Sequence, residues 1–152
     1  MRMNELVLVV EDSDEDIEAI ARAIGRSHPD VRLEFLRSGS GVLPRLDGAG
    51  AEPPRLVLLD LNMPGEGGLD VIRQVRARAE FDALRLVVFT SSENQAEADA
   101  CYAAGADSYI YKPINFALFQ SVLSQTLDYW RSREPNVTQT VVPPPGDSSA
   151  QA

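Results

Sequence analysis

The sequence predicts an α/β fold in which helices cover both faces of a parallel sheet. Short apolar runs rich in β-branched residues alternate with helical patterns from residue 6 to residue 130, as in repeated βα units. Three of these runs are continuously apolar, which indicates strands that are buried on both sides. We expect strands near 6–11, 31–36, 56–60, 86–90 and 108–111.

The first two helices differ in the strength of their signals. The first should begin at Ser13, whose hydroxyl can accept hydrogen bonds from free backbone N–H groups, and acidic residues follow in its first turn. The second, near 40–47, contains Pro44 and follows two glycines. Because proline is tolerated only in the first turn of a helix, we expect this helix to be short or irregular.

Later helices carry clearer boundaries. The third is expected from Gly68 to about residue 78, and the fourth opens with a capping-box pattern at Ser92 and ends at Gly105. Asn115 can cap the fifth. One apolar set on the fifth helix repeats at helical spacing and should face the core: Phe116, Phe119, Leu123, Leu127 and Trp130.

The fifth helix has more apolar surface than one buried stripe needs. Leu118, Val122 and Tyr129 lie on a different side from the core set. Spare apolar surface of this kind is typical of contact with a partner.

Composition limits the class of protein. The chain has 152 residues, enough for one domain with a sizeable core, and its formal net charge is −9. Binding of nucleic acid without regard to sequence needs clustered Lys and Arg, so direct DNA binding is not expected. The N-terminal apolar run is too short for a signal peptide or a membrane span, which predicts a cytoplasmic protein.

Neither the cysteine nor the histidine of this chain is predicted to act as a nucleophile or a metal ligand. Cys101 is the only cysteine, so no intramolecular disulfide can form, and its Ala-rich helical context predicts a small buried side chain. His28, the only histidine, precedes Pro29 at a predicted turn and has no partner motif. We expect it on the surface or in a capping role.

The helical pattern stops near residue 131. We assign residues 1–130 to one domain and 131–152 to an extended, partly disordered tail, because the tail is rich in Pro and small polar residues and cannot build a second domain.

Polar side chains follow four of the predicted strands. Glu11 and Asp12 come after the first, Asp60 after the third, Thr90 after the fourth and Lys112 after the fifth. Carboxyl ends of parallel strands meet at one edge, where open α/β sheets place their sites. The sequence therefore predicts one site built from all five groups.

Acids crowded at this edge favour a divalent cation. At ~4 Å and an effective dielectric near 20, two like charges cost roughly 4 kcal/mol, which a hard cation offsets. Carboxylates, a main-chain carbonyl and waters suit Mg²⁺ or Mn²⁺. We expect Asp12 and Asp60 as direct ligands, the main-chain carbonyl of Asn62 as a third, and Glu11 nearby through a water.

The same groups suit phosphoryl chemistry. Asp60 can attack a phosphorus atom and form an acyl phosphate. Lys112 offers an ammonium, Thr90 a hydroxyl, and the loops after Asp60 and Thr90 backbone N–H groups, all of which can stabilise phosphoryl oxygens.

These residues resemble the receiver domain of two-component response regulators over about residues 5–130. The resemblance is carried by motifs in the family's order and spacing: Glu11-Asp12, Asp60-Leu61-Asn62-Met63-Pro64-Gly65, Thr90-Ser91 and Tyr109-Ile110-Tyr111-Lys112-Pro113.

The resemblance implies a flavodoxin-like, doubly wound (βα)5 fold with the strand order 2-1-3-4-5. It implies that a histidine kinase phosphorylates Asp60 and that the chain is a phosphoacceptor, with at most slow hydrolysis of its own acyl phosphate, rather than an enzyme. Thr90, Ser91 and Lys112 would contact the phosphoryl group, and Tyr109 would turn inward on activation. It also implies a cis peptide bond before Pro113.

A narrower resemblance is to single-domain regulators that partner bacterial and cyanobacterial phytochrome kinases. It implies output through the fourth helix, fifth strand and fifth helix, a homodimer on that face, and a C-terminal arm that crosses to the other protomer. The candidate residues of this face are Leu118, Val122, Tyr129 and Trp130.

Three other interpretations are weaker. A haloacid-dehalogenase-type hydrolase also uses an Asp nucleophile and Mg²⁺, but its general acid stands two residues later, where this chain has Asn62. A nucleotide-binding fold needs glycines and a lysine after its first strand to bind phosphate, and this chain has neither there. A phosphorylation-independent pseudo-receiver fits poorly with an intact acidic and lysine set.

Overall fold

The computed structural model describes residues 5–63 and 67–131. Five parallel strands form one sheet in the order 2-1-3-4-5, which confirms the predicted fold class. All five predicted strands are present, and their bounds agree with the predicted ones to within about one residue: β1 (Leu6–Val10), β2 (Arg32–Leu36), β3 (Leu56–Leu59), β4 (Arg85–Thr90) and β5 (Ser108–Tyr111).

Helices connect the strands in sequence. They are α1 (Asp14–Ser27), α2 (Val42–Asp47), α3 (Gly68–Arg76), α4 (Gln95–Ala104) and α5 (Phe116–Arg131). The second is short and continues a 3₁₀ turn over Gly39–Gly41, as Pro44 and the glycines predicted. The third ends two residues before the predicted limit, and a second 3₁₀ turn over Ala79–Phe81 follows it.

The sheet is buried on both faces, as the continuous apolar runs predicted. Alternate residues of a strand point to opposite sides, so Leu8 and Val10 pack in the core under α2, α3 and α4. Val7 and Val9 pack in the second core, under α1 and α5. The hydrophobic effect on both faces therefore holds the strand ends in a fixed register.

Capping residues define the starts of three helices. The Ser13 hydroxyl accepts a hydrogen bond from the Asp16 N–H at 3.3 Å, and Asn115 accepts one from the Leu118 N–H at 3.1 Å, both as predicted. For α4 the cap is Asn94, which accepts from the Glu97 N–H at 3.1 Å, rather than Ser92. Asn94 can take this role because an Asn side chain caps as well as Ser does.

The apolar side chains of α5 differ in how deeply they are buried. Trp130 is 2% exposed, and the Arg85 guanidinium lies 4.8 Å from its ring centroid. Its burial confirms the prediction that it belongs to the core set, and its second assignment, to the partner face, is wrong. Val122 and Tyr129 are half-buried against the same core. Leu118 is 59% exposed, and Ile114, which the sequence did not single out, is fully exposed.

Cys101 and His28 are both buried. Cys101 is 1% exposed, which confirms the buried side chain predicted for it, and this burial raises the pKa of its thiol to about 11. His28 is the C-cap residue of α1, which confirms the capping role, one of the two roles predicted for it. It does not lie on the surface, because its Nε2 contacts Asp128 Oδ1 at 2.7 Å and its Nδ1 contacts the Ser27 hydroxyl at 2.8 Å.

Within residues 5–63 and 67–131, no helix is long and apolar enough to cross a membrane. Of the predicted C-terminal tail, only Arg131 lies among the described residues.

The N-terminus of α3 packs directly on the backbone that follows β3. A Cβ at Gly68 would lie 2.8 Å from the main-chain oxygen of Asp60 and 3.0 Å from Leu61 Cα. Contacts this short with backbone atoms can be relieved only by moving α3 or the end of β3. Only glycine fits this position without such a shift.

We therefore expect Gly68→Ala to lower the free energy of unfolding by about 1–3 kcal/mol, the usual range for overpacking. Gly67→Ala is the matched control, because a Cβ at Gly67 meets no atom within 4 Å. Urea denaturation followed by circular dichroism measures both variants. Equal stability of the two would contradict the close packing at residue 68.

Candidate functional site

Three carboxylates meet where β1 and β3 end. These strands are neighbours, and the Asp60 N–H donates to the Val10 carbonyl at 3.1 Å. Glu11, Asp12 and Asp60 each offer one oxygen within 4.8 Å of the others. Glu11 is 2% and Asp60 7% exposed, whereas Asp12 is half-buried. The predicted acidic cluster is thus present, and it opens to solvent on the side of Asp12.

Lys112 enters the cluster from the end of β5. Its Nζ donates to Glu11 Oε2 at 2.6 Å and to Asp16 Oδ2 at 2.8 Å, and it lies 3.5 Å from Asp60 Oδ2. The Lys112 side chain is only 8% exposed. Two predicted acids, which follow β1 and β3, and one acid of α1 are therefore brought together around one ammonium group.

Burial and ion pairing act in opposite directions on the pKa values of Lys112 and Glu11. Burial is the largest influence on Lys112 and disfavours its charge, but hydrogen bonds to Asp16 and Glu11 and the charge of Asp60 outweigh it, so the pKa of Lys112 is raised. For Glu11, burial raises the pKa despite the hydrogen bond from Lys112. Lys112 therefore stays protonated, and the Glu11 carboxylate is held in the site at a desolvation cost.

A hydrogen-bonded chain joins Thr90 to Tyr109 through one residue. The Ser92 N–H donates to Thr90 Oγ1 at 3.3 Å, and the Tyr109 hydroxyl donates to the Ser92 carbonyl at 3.0 Å. Thr90 is fully buried. Tyr109 is 3% exposed, so the Tyr109 ring already lies inward. Burial raises the pKa of the Tyr109 hydroxyl, which remains a donor near neutral pH.

The loops after the strands contribute less to the described contacts. The Asn62 N–H faces Asp60 Oδ1 at 3.4 Å, and the Asn62 side chain is exposed. Ser91 is exposed beside Thr90. Pro64 and Gly65 of the predicted motif lie outside the described residues. The roles of the Asn62 carbonyl and of Ser91 stay predictions.

The peptide bond between Lys112 and Pro113 differs from the expectation. The described residues contain no cis peptide bond, so this one is trans and the predicted cis bond at Pro113 is wrong. The trans form of an Xaa-Pro bond is favoured by about 0.5–1 kcal/mol when packing does not select the other form. The trans chain still brings the Lys112 ammonium to the acidic cluster.

The sequence reasoning missed one member of the site, Asp16. It appeared only as a favourable charge in the first turn of α1, yet its carboxylate pairs with Lys112. A signal was available, because Asp16 stands four residues after Asp12, which is about one helical turn beyond the end of β1. Acids at that spacing can approach the same edge of the sheet.

The donor set fits a divalent metal ion. Among the residues that the structure describes, Glu11, Asp12 and Asp60 are the group of acids close enough to share an ion. Hard carboxylate oxygens open to water on one side are what Mg²⁺ and Mn²⁺ prefer. The cation would reduce the repulsion that Lys112 offsets only in part.

Comparisons with known proteins agree with this geometry. The family model for the response regulator receiver domain matches residues 7–124. The probable methanogenesis regulatory protein FilR2 of Methanothrix harundinacea is 32% identical over 128 residues, which cover 82% of this chain and 83% of FilR2.

Two solved structures are also similar. The phosphorylated cyanobacterial phytochrome response regulator RcpA is 26% identical with a TM-score of 0.78, over 85% of this chain and 95% of RcpA. The Mn²⁺-bound form of response regulator Rcp1 is 27% identical with a TM-score of 0.76, over 88% of this chain and 97% of Rcp1. Rcp1 comes from Synechocystis.

Receiver domains accept phosphoryl groups from histidine kinases and are typically phosphoacceptors rather than enzymes. This chain carries the acids and the lysine of such a domain in one cluster, with Thr90 at the end of the neighbouring strand β4, on a sheet with the same strand order. The chain belongs to the response regulator receiver domain family, and it is similar to the phytochrome-associated response regulators.

Proposed function

We propose that this protein is a response regulator that accepts a phosphoryl group on Asp60 from a histidine kinase, with Mg²⁺ bound. The observation that carries the proposal is the position of the Asp60 carboxylate. It lies within 4.8 Å of oxygens of two further acids, and the Lys112 ammonium is 3.5 Å away. No other aspartate among the described residues shares both neighbours.

The chemistry follows from these neighbours. An oxygen of Asp60 attacks the phosphorus of a phosphohistidine, the P–N bond breaks, and the departing imidazole takes up a proton. The product is an acyl phosphate on Asp60. Because its oxygens carry more negative charge than the carboxylate did, the Lys112 ammonium and nearby N–H donors stabilise it.

The residues that would hold the metal are Asp12 and Asp60, with Glu11 nearby and the Asn62 carbonyl as a further ligand. A bound Mg²⁺ supplies charge neutralisation at the transferring phosphoryl oxygens. Support comes from the oxygen cluster itself and from the similar Rcp1, whose structure contains Mn²⁺.

The signal would leave the site through the chain from Thr90 to Tyr109. A Thr90 side chain that moves to donate its hydroxyl proton to a phosphoryl oxygen would lengthen the hydrogen bond that it accepts from the Ser92 N–H. The Ser92 carbonyl is in turn the acceptor of the Tyr109 hydroxyl. Phosphorylation then shifts the population of two arrangements of this loop and of α4.

We further propose a phytochrome-type kinase as the donor and a homodimer as the output state. Similarity to RcpA supports the first. Exposed Leu118, together with exposed Ile114, supports the second, since both are apolar and lie near the start of α5. We propose residues 1–130 as the receiver and 131–152 as the arm of the dimer.

We expect purified protein to gain one phosphoryl group from acetyl phosphate in the presence of Mg²⁺, and Asp60→Asn to gain none, because an amide is not a nucleophile here. Intact-protein mass spectrometry measures the gain. Asp82→Asn is the matched control, since Asp82 is exposed in the turn just before β4, at the opposite edge of the sheet. It should be labelled like the wild type.

An unlabelled wild type would contradict the phosphoacceptor function and favour a phosphorylation-independent module. Transfer from autophosphorylated kinases tests the donor. Faster transfer from a phytochrome-type kinase than from other histidine kinases supports the narrower assignment, and equal rates contradict it.

We expect Asp12→Asn to weaken Mn²⁺ binding by about tenfold or more, since it removes one charged ligand and tenfold corresponds to about 1.4 kcal/mol. Electron paramagnetic resonance of free Mn²⁺ gives the affinity. Asp82→Asn again removes one charge far from the cluster and should leave the affinity within about twofold. A similar loss in both variants would show general electrostatics rather than a ligand.

We expect Leu118→Glu to weaken self-association by about tenfold, because it places a charge in an apolar contact. Sedimentation equilibrium of the phosphorylated and unphosphorylated forms measures the dimer constant. Ala83→Glu adds the same charge at an exposed turn near the opposite edge of the sheet and should have little effect. A dimer that Leu118→Glu leaves intact would place the interface elsewhere.

A further inference from the structure

Asp16 occupies an unusual place between the helix and the site. It lies in the first turn of α1, where its N–H donates to the Ser13 hydroxyl. Its carboxylate turns toward the end of the sheet and contacts Lys112 Nζ at 2.8 Å. The contact joins the first helix to the lysine that follows the last strand.

Lys112 has three N–H donors, and their use in this structure is uneven. Glu11 at 2.6 Å and Asp16 at 2.8 Å are within hydrogen-bond distance. Asp60 Oδ2, at 3.5 Å, is beyond the usual hydrogen-bond distance. The ammonium is thus held mainly by two acids that do not accept the phosphoryl group.

The two holding acids differ in burial. The Glu11 side chain is 2% exposed, whereas that of Asp16 is 36% exposed. A buried carboxylate that loses its partner keeps an uncompensated charge, which is costly, but a partly exposed one can turn to water. Asp16 is therefore the partner that Lys112 can release.

We propose that Asp16 is a positioning residue that competes with the phosphoryl group for Lys112. The inference rests on the proposed phosphorylation of Asp60. In the unphosphorylated state Asp16 holds the ammonium toward α1. A phosphoryl group on Asp60 must draw the ammonium from Asp16, and the Asp16 carboxylate also repels the added negative charge.

Competition of this kind lowers the affinity of the site for any phosphoryl-like anion. It also links phosphorylation to α1, because release of the Asp16 carboxylate removes the contact between the first turn of that helix and Lys112. Glu15, the preceding residue, is exposed and shares the favourable position in the first turn of the helix. It therefore serves as the matched control.

The test uses beryllofluoride, which binds a carboxylate as a stand-in for the phosphoryl group, with Mg²⁺ present. Isothermal titration calorimetry compares the full-length wild type with Asp16→Asn, Asp16→Ala and Glu15→Gln. We expect both Asp16 variants to bind about fivefold more tightly, a change that equals about 1 kcal/mol. Glu15→Gln should match the wild type, and urea denaturation checks that all variants fold.

Each other outcome is informative. Retained affinity in Asp16→Asn with a loss in Asp16→Ala would overturn the proposal, because Asp16 would then orient Lys112 as a hydrogen-bond acceptor. An equal gain in Glu15→Gln would overturn it in favour of general charge. A wild type that binds no beryllofluoride would overturn the proposed function itself, whereas a binding wild type with unchanged Asp16 variants overturns this inference alone.

Discussion

The ion pairing of Lys112 with the acids at the edge of the sheet is the constraint on which the rest of the site depends. Glu11, Asp12 and Asp60 lie within 4.8 Å of one another, and Asp16 approaches the same lysine. Like charges at about 4 Å cost roughly 4 kcal/mol at an effective dielectric near 20. The apolar cores on both faces hold the strands that carry these acids. The stability of the sheet therefore offsets the repulsion between these acids, and their arrangement favours binding of a cation.

The lysine connects this arrangement to the surface through the edge strand β5. Lys112 follows β5, and its own N–H donates to the Thr90 carbonyl at 2.7 Å. The Tyr109 N–H donates to the hydroxyl of Tyr102 on α4 at 3.1 Å. Packing of α4 against β5 thus helps to hold the strand from which Lys112 extends. The elements proposed for output are the same ones that hold the lysine in place.

The strands and the members of the acidic cluster followed from the sequence because their physics is local. A continuous apolar run predicts a doubly buried strand, and Asp60 directly follows one. Asp16 was missed because helix-dipole reasoning already explained it, and its contact with Lys112 spans 96 residues. Helical spacing placed Trp130 correctly in the core set, whereas its assignment to the partner face came from the resemblance and is wrong, because its ring is buried beside Arg85. The isomer of the bond before Pro113 depends on tertiary packing, which no local pattern reports.

Anchoring of α5 at its C-terminal end limits where a partner can bind. Arg131 Nε donates to Glu5 Oε1 at 2.8 Å, and Trp130 is buried under Arg85, so the last turn is tied to the amino edge of the sheet. The exposed apolar side chains, Ile114 and Leu118, lie at the other end of the helix. That end begins within a few residues of Lys112. A partner bound there would contact the segment that directly follows the lysine of the site, and the anchored distant half of α5 could stay in place.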